Sequence, residues 1–194
     1  MDKLKKMGLR LCLWGGVCLV LAAAALLTGW LLSVEDSRQE AADRVESLRS
    51  LIPTPQGAVP EARRDNTMAV LSLEGTDFIG ILEMPKYGSS LPVCAQWGQA
   101  KTFPSRLRGS AYDRTLQIGA TSQAGQYDFY REISVGDALF FTDVEGNRFS
   151  YTVADIRYES TADQSTLTSR PADLVLFIQN VYGLDYILLF CRTA

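Results

Sequence analysis

A chain of 194 residues has room for one compact domain with accessory segments, and 19 basic against 22 acidic side chains leave a formal charge of −3. No histidine is present, so every mechanism that pairs an imidazole with a Ser or Cys nucleophile is excluded. Lys3, Lys5, Lys6 and Arg10 against Asp2 give residues 1–10 a charge of +3 and leave −6 for the rest, an acidic body unsuited to nucleic acid.

Leu11 to Leu32 is an uncharged run of 22 residues, about 33 Å as a helix, enough to cross the hydrocarbon core. Basic residues precede it, and Glu35 and Asp36 follow. The positive-inside rule then sets residues 1–10 in the cytoplasm and the remainder outside, as a single-pass membrane protein. A cleaved signal peptide is the competing reading, given the small residues Ala22 to Ala25, but the apolar run is too long for an h-region. A retained anchor is expected.

Residues 33–77 are expected to form an extracytoplasmic stalk helix and a linker. Good helix formers fill residues 34–52, with Val45, Leu48 and Ile52 at helical spacing. The stretch holds too few heptads for a coiled coil and reads as a solvated spacer. Pro53, Pro55, Gly57 and Pro60 end it. Met68 to Leu73 is a short apolar run to which the pattern assigns no structure.

From Phe78 to the end, short apolar runs alternate with turn signals. Phe78 to Met84, Leu91 to Cys94 and Leu116 to Ala120 are expected strands. Ala138 to Thr142 and Phe149 to Ile156 form a hairpin about the Glu145-Gly146-Asn147 turn. Asp173 to Ile178 and Tyr186 to Phe190 are apolar throughout and read as buried central strands. Tyr127 to Ile133 is the one candidate for a helical turn. Residues 78–194 are thus expected to be an all-β sandwich or barrel.

The order of these pieces resembles the sortases, membrane-anchored cysteine transpeptidases of Gram-positive bacteria built on an eight-stranded β-barrel. The resemblance rests on F-I-G-I-L-E-M-P (Phe78 to Pro85), L-P-V (Leu91 to Val93), Gly109-Ser110 and L-Q-I-G-A-T (Leu116 to Thr121). V-G-D (Val135 to Asp137), F-F-T-D (Phe140 to Asp143) and D-L-V-L-F (Asp173 to Phe177) continue it in family order. It covers about residues 78–192 and looks closest to the class B-like enzymes of clostridia. It implies a sortase-like eight-stranded barrel with short helical turns behind one transmembrane helix.

A sortase works with a histidine, a cysteine and an arginine. The thiolate attacks the Thr-Gly carbonyl of a sorting signal, the histidine protonates the leaving amine, and the arginine holds substrate and oxyanion. The resemblance sets Thr121 at the histidine position, Gln179 at the cysteine position and Asp185 at the arginine position. A carboxamide is no nucleophile, a lone hydroxyl moves no proton near neutral pH, and a carboxylate opposes an oxyanion. The three are expected to be inert, and Tyr182 is expected to line the peptide groove with them and with residues 157–172.

The expectation is therefore a pseudo-sortase without cofactor or metal. Its partner would be a sorting-signal peptide, a surface protein or pilin, or an active sortase. The alternative is an atypical transpeptidase or hydrolase with a relocated nucleophile, Cys94 above all. Cys191 reads as a core thiol, and a Cys94–Cys191 disulfide is open on sequence grounds. An Asp173–Asp185 carboxylate pair is disfavoured by its expected separation, and Asp143, Glu145 and Asn147 suit a hairpin turn better than a calcium loop.

Overall fold

A computed structural model describes residues 2–54, 66–98, 102–122, 126, 129–160, 163–180 and 185–194. Helix α1 runs Asp2–Leu51, and the chain divides into two compact units, Met1–Asp36 and Ser37–Ala194. In the first unit Trp14, Leu19, Leu26 and Trp30 are exposed to the surroundings. The helix is long and apolar enough to cross a membrane.

In the second unit, the last turns of α1 depart from the solvated spacer expected. Ala41, Val45 and Leu48 recur at helical spacing, are all buried, and belong to the barrel's own core cluster. Leu48 is fully covered, a burial that contributes roughly 1.5–3 kcal/mol. Arg49 reaches Glu83 at 2.6 Å and Arg44 reaches Glu74 at 2.5 Å, so charged flanks hold the same face down. Pro53 stops the helix, because it lacks an N–H to continue the ladder.

Among the described residues nine strands follow: β1 (Leu71–Leu73), β2 (Thr76–Met84), β3 (Ser89–Cys94), β4 (Ser105–Arg108), β5 (Leu116–Thr121), β6 (Ala138–Asp143), β7 (Arg148–Glu159), β8 (Leu174–Gln179) and β9 (Tyr186–Thr193). A one-turn helix α2 (Gln164–Leu167) lies between β7 and β8. The sheet order is β1-β2-β3-β4-β5-β8-β9-β7-β6, and β2 also pairs with β6. That last pairing closes strands β2 to β9 into an eight-stranded barrel, with β1 added outside. The expected barrel is present, and closure leaves few free edges.

Alternation sorts the side chains. Leu116, Ile118 and Ala120 on β5, Leu174, Leu176 and Ile178 on β8, and Ile187, Leu189 and Cys191 on β9 fill the interior. The residues between them face outward, where Val175, Phe177, Leu188, Phe190 and Leu167 form a second apolar cluster. This explains why β8 and β9 read as apolar throughout: both of their faces are covered. The Asp143–Asn147 segment is a hairpin turn, with the Asp143 carboxylate accepting from the backbone N–H of Glu145 and Asn147 and from the Tyr112 hydroxyl. Phe129 to Glu132 form a turn and not a helix; Tyr127 lies outside the described residues.

Candidate functional site

β5 and β8 run parallel, and their last registered pair is Thr121 with Gln179. Paired backbones in a sheet lie ~4.8 Å apart, so two of the three positions singled out in the sequence stand side by side at one rim. The Ser122 N–H donates to the Gln179 carbonyl at 2.7 Å, extending the ladder one step past the strand end. Both side chains belong to the outward-facing set, with Phe177 one step below.

Asp185 immediately precedes β9. Its carbonyl accepts from the Asn180 N–H at 3.0 Å, and its carboxylate accepts from Asn180 Nδ2 at 2.7 Å. The residue registered directly against Gln179 is Tyr186, whose hydroxyl accepts from Gln179 Nε2 at 3.2 Å. Thr121, Gln179 and Asp185 therefore meet at one end of the β5-β8-β9 sheet, with Tyr186 as the closer neighbour of Gln179. Tyr182 lies outside the described residues.

Two residues of this rim escaped sequence reasoning, Tyr186 and Arg131. The Arg131 guanidinium is held firmly protonated by its hydrogen bond to the Tyr130 hydroxyl, and further by the charge of Asp185 and by Tyr158. A cation thus lies within electrostatic reach of Asp185, supplied by the β5–β6 connection and not by β9. The register of β9 against β8 was the missing signal for Tyr186.

The remaining nucleophiles are elsewhere. Cys191 registers with Leu174, five residues along β8 from Gln179, or ~17 Å. It is fully buried, and burial pushes its thiol up to about 12. Cys94 is also fully buried; burial raises its thiol to about 11, against a smaller lowering by its hydrogen bond from Ser105. Both cysteines are free. Asp173 sits at the other end of β8 from Gln179, and its carboxylate accepts from Thr193 N and Oγ1, so it makes no pair with Asp185.

These raised values predict slow labelling of Cys94 and Cys191. At pH 8 a thiol at about 11 is thiolate in roughly one molecule in a thousand. In a Cys12→Ser/Cys18→Ser background, maleimide uptake by the native protein should stay near zero from pH 7 to 9. It should reach two equivalents only in denaturant. Rapid native labelling at pH 7 would show that one of the two thiols is open and activated.

No protein-family model and no curated protein sequence matches this chain. Solved structures do. Sortase C1 from Streptococcus agalactiae is 18% identical with a TM-score of 0.52, over 64% of this chain and 71% of that one. Sortase A from Corynebacterium diphtheriae is 14% identical with a TM-score of 0.52, over 83% and 84%. A sortase D5 transpeptidase of Clostridium perfringens is 13% identical with a TM-score of 0.52, over 84% and 99%. Similar structures thus span sortases named A, C and D, a likeness of architecture that singles out no class. The barrel whose rim carries Thr121, Gln179 and Asp185 has the sortase fold.

Proposed function

We propose that this protein is a membrane-tethered pseudo-sortase, which holds a peptide of a cell-surface protein at the β5-β8-β9 rim and does not cleave it. The observation that carries the reading is the registered pair Thr121–Gln179 in a chain with no histidine. Where the resemblance asks for a base and a thiolate, this rim offers a hydroxyl and a carboxamide, groups that hydrogen-bond but neither attack a carbonyl nor move a proton. The N-terminus is cytoplasmic and the barrel extracytoplasmic in this reading, following the basic residues before the apolar helix. An enzyme built on Cys94 has the full burial of that thiol against it.

The test uses the full chain in nanodiscs. A panel of sorting-signal peptides and the matching surface proteins should bind saturably without release of any cleaved fragment. Binding should weaken about tenfold in Gln179→Ala, which removes the amide and its hydrogen bond to the Tyr186 hydroxyl. Cleavage that survives mock purification, or no binding across the panel, refutes the reading.

A further inference from the structure

The outward face of β5 and β8 continues below the rim, and its far end is basic. A recess of about 410 Å³ opens there, lined by Arg108, Arg114 and Arg170 around Gln117, Val175 and Leu167. No carboxylate among the described residues lines it, although residues 11–194 are acidic overall. All three arginines are exposed. Arg108 donates its Nε to the side-chain oxygen of the buried Gln117 at 3.0 Å, which anchors the guanidinium. Arg170 touches Asp155 only at 3.6 Å. Arg114 makes no hydrogen bond or ion pair among the described residues, and it is held in a left-handed turn at φ 59°.

The recess and the rim are two ends of one strip. Gln117 registers with Val175 and Thr121 with Gln179, four residues further on, or ~13 Å along the sheet. Between them the strip is aromatic. Trp97 and Phe177 lie with ring centroids 5.3 Å apart, and Phe177 and Tyr186 6.4 Å apart. Both Trp97 and Phe177 close over Gly119, where a Cβ would come within 2.2 Å of the indole and 2.3 Å of the phenyl ring. Trp97 is half exposed, an uncharged platform between two polar ends.

We propose that the three-arginine recess is an acid-recognition subsite, taking the carboxylate of an Asp or Glu in an extended peptide that lies across Trp97 toward Gln179. The assignment rests on the reading of that rim as a peptide-binding groove. Guanidinium forks match carboxylates in a bidentate plane, and among the described residues only Asp155, which Arg170 shares with Arg157, lies against the three, so net positive charge remains at the recess. A uniformly anionic polymer long enough to cover the strip would meet the Asp185 carboxylate at the other end. A peptide with its acid at one end, followed by neutral or basic residues, fits both. The spacing selects about three residues between the acid and the residue held at Gln179.

Selection of random decapeptides against the full chain in nanodiscs tests this. Binders should be enriched in Asp or Glu toward one end. By fluorescence anisotropy their Kd should rise about tenfold or more in Arg108→Gln/Arg114→Gln/Arg170→Gln, and with salt from 50 to 500 mM. All three positions are exposed, and circular dichroism checks that the variant folds without the Arg108–Gln117 hydrogen bond. Binders without acid enrichment, or an unchanged Kd in the triple variant, overturn the subsite and leave the groove reading standing. Inorganic polyphosphate binding more tightly than any peptide and lost in the same variant reassigns the recess to a polyanion. Failure to select any binder removes the groove and the subsite together.

Discussion

Replacing Gln179 by Cys is expected to turn a chemically silent rim into a reactive one. The new thiol would sit at the end of β8, part-exposed as Gln179 is, beside Thr121 and within the neighbourhood of Arg131. Unlike Cys94 and Cys191, it would lack deep burial to suppress its thiolate, and with Arg131 offsetting the Asp185 carboxylate its pKa should stay near the ordinary value of about 8.5. One equivalent of maleimide should then be taken up at pH 7 within minutes. Thr121→His added to it places an imidazole on the neighbouring strand, with about 4.8 Å between backbones, close enough for side chains to share a proton. A gain of roughly 10²-fold in peptide cleavage over Gln179→Cys alone is the expected size of such a base.

The cation is the third part, and the register discriminates between two places for it. Asp185→Arg follows the sequence resemblance, whereas Tyr186→Arg follows the strand pairing, since Tyr186 faces Gln179 directly. Comparing both on the Thr121→His/Gln179→Cys background reads out which of the two positions supports an oxyanion. The sharper outcome concerns Gln179→Cys alone. If it takes up no reagent under native conditions, the rim is closed to ligands, and the proposed binding function falls with it.

How far the sequence could be read depended on whether each element announced itself through its own side chains. β2, β5, β6, β7, β8 and β9 each carry an apolar or alternating run, and their expected and observed spans differ by only a few residues. β4 had no such signal. Ser105, Arg106, Leu107 and Arg108 present one buried residue at the start and polar or exposed ones after it, a pattern that reads as loop. β1 is three residues held only by β2, so nothing in Leu71 to Leu73 distinguished it from any short apolar stretch.

The docked end of α1 was harder. Ala41 is too small to mark a buried face, and Val45 and Leu48 gave half a stripe that a solvated helix carries just as well. The rim was legible in part for a related reason. Motif order could set Thr121 and Gln179 together, because both lie at the ends of recognisable strands. The partner of Gln179 depends on where β9 starts pairing after the connecting loop, a choice that backbone register makes and composition does not. The arginine recess was not legible at all. Arg108, Arg114 and Arg170 are spread over 63 residues of sequence, and only the parallel pairing of β5 with β8 and the return of the α2 segment over Val175 bring them to one opening.

Barrel closure rests on a position where no side chain fits. Gly80, on β2, registers with Asp143 on β6, the pairing that joins the two ends of the sheet. Its φ is 157°, and a Cβ there would stand 2.1 Å from the Thr142 carbonyl oxygen and 2.8 Å from the Asp143 Cα. Both obstacles are backbone, so no side-chain rotation relieves them, and the strands would have to part. Asp143 is also the residue that gathers Tyr112, Glu145 and Asn147 into the hairpin turn, so displacing it loosens a buried polar network as well. Gly80→Ala is therefore expected to cost about 3 kcal/mol or more. For a domain of this size that lowers the melting temperature by roughly 10 °C. Scanning calorimetry in nanodiscs, with the surface variant Arg114→Gln as the control that should not move, measures it. A Gly80→Ala protein that melts within two degrees of the parent would mean that β2 and β6 tolerate separation, and that closure does not hold the rim in place.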